Sequence, residues 1–351
     1  MDFTATLLAW YDENKRSLPW RNSRNPYEIW LSEVILQQTR VEQGLPYYER
    51  FLKNFPTVFD LAKADEDTVL KLWQGLGYYS RARNLHHTAK IVVQDFGGIF
   101  PNTYEDLLKL KGIGSYTAAA ISSFAYHHPN AVVDGNVFRF LSRYFGIYTP
   151  INTGIGKKEF ESIANTLISH KFPADFNQAI MEFGSIQCKP NRPDCGACVF
   201  VAECIAYRDN VIHLLPVKGK KSAIKDRYFY YLYIEKGKEM ALHKRTDNDI
   251  WKSLYELPLI ELDSAVSMED LQESDEWKRL FHRTKIVVQS CSEKIIHKLS
   301  HQAIHAVFIH LVVKKSDVFP SDFIWIKKEY HHTFAVPRLI ENFLIHRLAK
   351  R

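Results

Sequence analysis

The chain has 351 residues, 46% of them hydrophobic and 25% charged, the composition of an ordinary globular protein with ample core and room for roughly two domains. No apolar run reaches the ~18 residues that a membrane span needs, so no membrane is expected among its partners. Net charge is +6 and the pI about 8.8, which suits a polyanionic partner without requiring one.

The first ~210 residues read as helical. Asn25-Pro26-Tyr27-Glu28 offers a capping residue, a first-turn proline and a capping-box glutamate ahead of a helix expected to run to about Arg40. Within it Glu33 has Ile29 and Leu36 on its own side, and apolar residues cover most of the circumference. Such a helix is buried, so the Glu33 carboxyl should hold its proton near neutral pH, as a general acid requires. The alternative is a glutamate satisfied by Arg40 or another base. Gln37 and Gln38 follow, and Gln38 could reach a base edge.

Asp65-Glu66-Asp67 opens a second helix that Gly75 and Gly77 break. The stretch Trp73–Arg83 then joins a flexible turn to a wedge residue, Leu76, two tyrosines, Tyr78 and Tyr79, and two arginines. That is a set suited to a disrupted base step and equally able to be core. Ser80 caps a helix expected to end at Gly97-Gly98. Leu110-Lys111-Gly112-Ile113-Gly114-Ser115 is a glycine hairpin, expected to join a helix ending at Leu110 to one starting near Ser115 and stopping before Pro129. Its free N–H groups, with Lys109 and Lys111, suit a phosphate. An ordinary helix–helix turn is the plain alternative. Val132-Val133-Asp134-Gly135-Asn136 brings a carboxylate to a loop, where Asp134 either caps the next helix or serves chemistry.

Cys188, Cys195, Cys198 and Cys204 form a C-x6-C-x2-C-x5-C run. Crowded thiolates select an iron–sulfur cluster or zinc, and the wide first gap does not fit paired zinc knuckles. Disulfides would need an oxidising compartment, and the opening MDFTATLLAWYDENKR has neither a basic n-region nor a long apolar h-region. A cytoplasmic location is expected.

After the cysteines, Leu214–Lys221 reads as a basic linker. Strand-like runs follow at Arg227–Glu235, Glu239–Lys244, Lys285–Gln289, Ala303–Val313 and Phe323–Lys327, with a closing helix from about Val336 to Lys350. The expected division is a helical domain over 1–213, with the hairpin at about 107–127 and the cysteine loop at 188–204, a linker over 214–226, and an α+β domain over 227–351.

Together, Trp30–Thr39, Gln74–Arg81, Val133–Val137, the hairpin and the cysteine spacing resemble the endonuclease III-like helix–hairpin–helix DNA glycosylase superfamily, and within it the MutY-type adenine DNA glycosylases. The resemblance is dense over residues ~5–210 and loose beyond. It implies a mainly α helix–hairpin–helix half with a 4Fe–4S loop held by the four cysteines, then a Nudix-like α+β domain that reads 8-oxoguanine. Related strand-cleaving enzymes carry a lysine nucleophile where this chain has Tyr116, so the resemblance implies a monofunctional glycosylase that removes adenine opposite 8-oxoguanine or G in duplex DNA. Glu33 would protonate the departing base and Asp134 would stabilise the oxocarbenium-like sugar, the two-carboxylate logic of glycoside hydrolysis. Tyr116 and Asn136 would support them. Arg16, Trp20, Leu36 and Glu182 would line the adenine pocket. Gln37, Gln38, Leu76 and Tyr78 would lie toward the opposite base, and Lys111, Gly112 and Gly114 would hold the backbone. Trp251–Pro258 resembles the family's Trp-bearing strand, and Leu299-Ser300-His301 stands where the family has a Phe-Ser-His turn, making Ser300 and His301 candidate DNA contacts. The hydrolytic Nudix signature is absent, and Met268–Trp277 has acids in a different arrangement. A monomer is expected; a sliding-clamp contact is not readable in the residues. Alternatives left open are a relative acting on a mismatched or oxidised pyrimidine, or a non-catalytic DNA-binding protein.

Overall fold

The computed structural model describes residues 2–220, 223–281, 286–314, 316–317 and 319–348. Lys221, Lys285 and Lys350, which close or open three of the expected segments, lie outside them. The chain forms two compact units, Met1–Ala64 with Asn84–Lys220, and Asp65–Arg83 with Lys221–Arg351.

The first unit is helical. Its elements are α1 (Phe3–Asn14), α2 (Pro26–Leu36), α3 (Val41–Asn54) and α4 (Val58–Lys63). After an excursion into the other unit through α5 (Glu66–Trp73), the chain returns along α6 (Ser80–Phe96). It continues through α7 (Tyr104–Leu107), α8 (Ser115–Tyr126), α9 (Gly135–Phe145), α10 (Gly154–Leu167), α11 (Pro173–Glu182) and α12 (Ile205–Arg208). Phe3, Leu7 and Trp10 of α1, Phe140 and Leu141 of α9, Phe160, Phe176, Ile180, Phe183 and Phe200 are all buried in one core.

The helix expected to reach Arg40 stops at Leu36. Gln37 leaves helical geometry and Gln38 takes a left-handed φ of 57°, so the chain turns before α3 begins at Val41. No glycine or proline announces this break. Likewise the helix before the hairpin ends at Leu107 rather than Leu110, and turns fill the interval to Ser115. Gly112 needs its lack of a side chain, with φ at 82°. Gly114 has extended φ −93° and ψ −179°, and nothing lies within 4 Å of where a Cβ would stand, so its value is open approach rather than backbone freedom.

The expected linker is not a free tether over its first half. Leu215 is buried, its carbonyl accepts from Arg143 Nε at 3.1 Å, Ile151 N donates to Val217 O at 3.1 Å, and Gly219 N donates to Asn152 Oδ1 at 2.6 Å. These bonds fasten residues 215–219 to the helical unit.

The second unit is built on a sheet of β1 (Lys225–Lys236), β2 (Glu239–Lys244), β3 (Tyr255–Glu256), β4 (Leu259–Leu262), β5 (Val287–Cys291), β6 (Ile295–Lys298), β7 (Gln302–Val312) and β8 (Phe323–Lys327). β1 and β7 run parallel along eleven paired residues, whereas the other pairings are antiparallel. Phe229, Tyr231 and Tyr233 of β1 face one core with Leu339, Ile340 and Leu344 of α15 (Arg338–Leu348). Tyr230, Leu232 and Ile234 face the other with Leu271, Trp277 and Phe281 of α13 (Met268–Glu273) and α14 (Asp275–Phe281). Burial on both faces explains a strand with no polar alternation. The short strands β4 and β6 escaped the sequence pattern because neither has such a run.

Asp65–Arg83 belongs to this unit by its bonds. Asp67 takes Lys244 Nζ at 2.6 Å and the Tyr255 hydroxyl at 2.8 Å, Gln74 Nε2 donates to Glu341 Oε1 at 2.7 Å, and Lys71 Nζ donates to Phe334 O at 3.1 Å. Three of the five acids of Met268–Trp277 are spent locally: Asp270 accepts from the Ser267 hydroxyl, Glu273 pairs with Lys278, and Glu276 pairs with Arg279.

Candidate active site

A cavity of about 380 Å³ opens in the helical unit, and Glu33, Tyr116, Asp134 and Asn136 share its wall with Arg16, Trp20, Leu36 and Glu182. The eight residues come from α2, α8, α9, the end of α11 and the segment after α1, five separate stretches of chain.

Glu33 is 6% exposed. The Tyr116 hydroxyl donates to its Oε2 at 2.6 Å and lies 3.4 Å from Met181 Sδ. Burial pushes the Glu33 carboxyl up to about 7; the Tyr116 bond opposes this and the charge of Asp134 adds to it. The Tyr116 phenol is held well above its ordinary range by burial and by the two carboxylates. Arg40, one of the partners considered for Glu33, makes no bond to it.

Asp134 caps α9. Its Oδ1 accepts from the backbone N–H of Asn136 and Val137, both at 2.8 Å, and its Oδ2 accepts from Asn136 Nδ2 at 2.7 Å. Burial raises this carboxyl too, and those three bonds restrain the rise. Capping and facing the cavity are therefore joint properties of one residue. Asn136 is held in turn by Arg139 Nη2 at 2.9 Å, and Arg139 Nε donates to Cys188 O at 2.8 Å, so α9 ties the capping carboxylate to the cysteine loop. The chain after α11 continues as a wide π-type turn, Phe183–Gln187. There a Cβ on Gly184 would stand 2.5 Å from Asn136 O, an approach only glycine allows.

At the opposite wall Glu182 is 1% exposed yet ionised. Burial alone would raise its carboxyl, but two guanidiniums drive it down to about 2. Arg16 Nε and Nη2 reach it at 2.8 and 2.7 Å, Arg21 Nη2 at 2.7 Å, and the Arg16 backbone N–H at 3.0 Å. Glu182 lines the pocket as expected, but its oxygens are committed, and the groups it presents are the two arginines. Arg21 was not singled out in the sequence. Nothing local marks it, because its partner lies 161 positions away. Trp20 is buried edge-on to Tyr48.

A second, larger groove of about 850 Å³ shares Glu33, Leu36, Tyr116, Asp134 and Asn136 with the pocket and is lined further by Gln37 and Gln38. Gln37 Nε2 donates to Thr117 Oγ1 at 3.3 Å, and Gln38 is exposed. On the hairpin, Lys111, Gly112 and Gly114 are exposed. In the other unit the Tyr78 hydroxyl and Ser300 Oγ lie 2.6 Å apart, while His301 is exposed and gives its carbonyl to Lys225 N. Leu76, the expected wedge, is buried at 6% exposure, and Tyr78, at 48%, is the outward side chain of that turn.

Cys188, Cys195, Cys198 and Cys204 line one small cavity with Phe140, Phe183 and Phe200. Burial raises the thiols of Cys195, Cys198 and Cys204, that of Cys198 to about 11. Arg143 Nη1 stands 3.5 Å from Cys188 Sγ. Among the described residues no three His, Cys, Asp or Glu side chains are placed to hold a single metal ion, and the four cysteines line one cavity. Four soft donors in an apolar ring fit a multi-atom iron–sulfur group.

Comparison with known proteins accords with this geometry. Residues 31–167 match the model of the HhH-GPD superfamily base excision DNA repair proteins, and residues 230–346 match a NUDIX domain. A thermostable thymine-DNA glycosylase structure superposes with a TM-score of 0.55 at 31% identity, over 59% of this chain and 95% of that one. An endonuclease III–DNA complex superposes with a TM-score of 0.51 at 20% identity, over 59% of this chain and 94% of that one, a likeness of fold. The helical unit is thus that of a helix–hairpin–helix base-excision glycosylase. The adenine DNA glycosylase of Buchnera aphidicola subsp. Baizongia pistaciae is 36% identical over 91% of this chain and 89% of its own length. The chain belongs to the adenine DNA glycosylase family, enzymes that hydrolyse an N-glycosyl bond in base-excision repair. Among the described residues no helix is long and apolar enough to cross a membrane.

Proposed function

We propose that the enzyme excises adenine mispaired with 8-oxoguanine, and with G, from duplex DNA, acting as a monomer in the cytoplasm. The observation that carries the reading is the pair of carboxyls at one cavity. Glu33 is protonated near neutral pH, and Asp134 is held by three donors that favour its anion.

An adenine extruded into the pocket meets Glu33, whose proton makes the base a tolerable leaving group. As the bond breaks, charge grows on the sugar, and the Asp134 carboxylate is the group to stabilise it. Tyr116 orients Glu33, and Asn136 orients Asp134. Because position 116 is tyrosine, no amine is present there to form a Schiff base, and the product is an intact abasic strand. Trp20, Leu36 and the Arg16–Glu182–Arg21 set bound the base. Gln37 and Gln38 serve the opposite base, Tyr78, Ser300 and His301 are DNA contacts of the second unit, and Lys111, Gly112 and Gly114 serve the backbone. The division into a glycosylase domain, a basic linker and a Nudix-like lesion-reading domain follows the same reading. Cys188, Cys195, Cys198 and Cys204 would hold a 4Fe–4S cluster, which supplies charge and order to the loop and takes no part in bond cleavage.

Single-turnover incubation with duplex carrying A opposite 8-oxoguanine tests this. The expected product is abasic DNA that breaks only after alkali. Intact adenine refutes the activity, release of a pyrimidine instead redirects it to the pyrimidine-specific relatives, and direct strand breaks indicate a lyase. Iron analysis with absorbance near 400 nm tests the cluster.

A further inference from the structure

We infer that the segment His213–Lys218 is a phosphodiester-binding wall of the active-site groove, with Lys218 and His213 its contacts and Arg40 lining the same groove. The inference rests on the proposed extrusion of a nucleotide into the pocket.

The base pocket and the larger groove meet at Glu33, Tyr116, Asp134 and Asn136. A nucleotide whose base fills the pocket has its glycosidic bond at that junction, so its sugar and the flanking phosphates must run through the groove. Two groove arginines are already spent. Arg139 donates to Gly135 O, Gly184 O and Cys188 O, and Arg143 donates to Lys189 O, Pro190 O and Leu215 O. The groove-lining Arg40, His213 and Lys218 are different: all three are exposed, and among the described residues none has a hydrogen bond or ion pair through its side chain. Arg40 and Lys218 keep their donors free in the groove through which that backbone must run, and the anion that accompanies a base is its phosphodiester.

The segment is also rigid enough to serve. Leu215 O, Val217 O and Gly219 N are each bonded to the helical unit, so Lys218 sits between two anchored positions. A tether between domains would need none of these bonds. A wall needs them.

The test uses the full-length protein and a duplex with A opposite 8-oxoguanine, titrated across salt concentrations. Lys218→Ala should weaken binding several-fold and flatten the plot of log affinity against log salt by about 1, the signature of one lost phosphate contact. Lys218→Arg should restore the slope, and His213→Asn should weaken binding less. If the unaltered enzyme releases adenine but Lys218→Ala keeps the full slope, the wall is refuted. If the unaltered enzyme releases no adenine and the slope still falls, the backbone contact stands and the substrate assignment fails.

Discussion

Glu33 and Glu182 line one cavity, are almost equally buried, and shift in opposite directions. Glu33 receives its hydrogen bond from a neutral phenol, and its carboxyl rises to about 7. Glu182 receives two guanidiniums and a backbone N–H, and falls to about 2. Burial sets the stakes, and the number and charge of the donors decides the outcome. One end of the pocket can therefore give a proton while the other stays a fixed anion.

The comparison is broken most severely at its acid end. Glu33→Gln should lower the single-turnover excision rate by about 10²–10⁴-fold while leaving lesion-duplex binding intact. The same change should stabilise the fold. A carboxyl whose folded pKa is raised from 4.5 to about 7 costs stability that is absent below its unfolded pKa and complete above about 7. At pH 8 the glutamine variant should gain up to about 3 kcal/mol in chemical denaturation, and less at pH 5. An unchanged midpoint at pH 8 would mean the carboxyl is not strained.

At the other end, Glu182→Ala leaves Arg16 and Arg21 without their partner and should cost about 3–5 kcal/mol, read from the same denaturation midpoint. Gly184→Ala should cost about 1–3 kcal/mol and lower the excision rate, because the added methyl must push Asn136, and with it Asp134, out of place. A normal rate with lowered stability would separate packing from positioning. The smallest effect concerns pH. The rate should fall as pH rises through about 7, when Glu33 loses its proton. Tyr116→Phe removes the bond that lowers this pKa and should move that limb to higher pH. A shift to lower pH would contradict the assigned role of the phenol.

The burial of Glu33 was legible in the sequence because an apolar helix circumference declares it, and burial is the leading cause of the raised carboxyl. The opposing end was only half legible. Glu182 was expected in the pocket, but a glutamate's charge depends on partners brought by folding, and Arg21 lay unremarked. The strands of the second unit were read where both faces are apolar and missed at β4 and β6, which are short. The Gln37–Arg40 turn was missed because no glycine or proline marks it. The fastening of residues 215–219 was invisible for a simpler reason: its bonds are made largely by backbone groups, which every residue carries.

Asp65–Arg83 imposes an order on events at the ribosome. Its bonding partners, Lys244, Tyr255, Phe334 and Glu341, are synthesised some 160 to 270 residues later. The helical half therefore emerges with a segment whose polar partners are not yet made, and the Glu341 partner of Gln74 comes only with the last helix. A chain cut after the cysteine loop would keep both carboxyls and carry that waiting segment permanently, so its short life in a cell would say little about its chemistry.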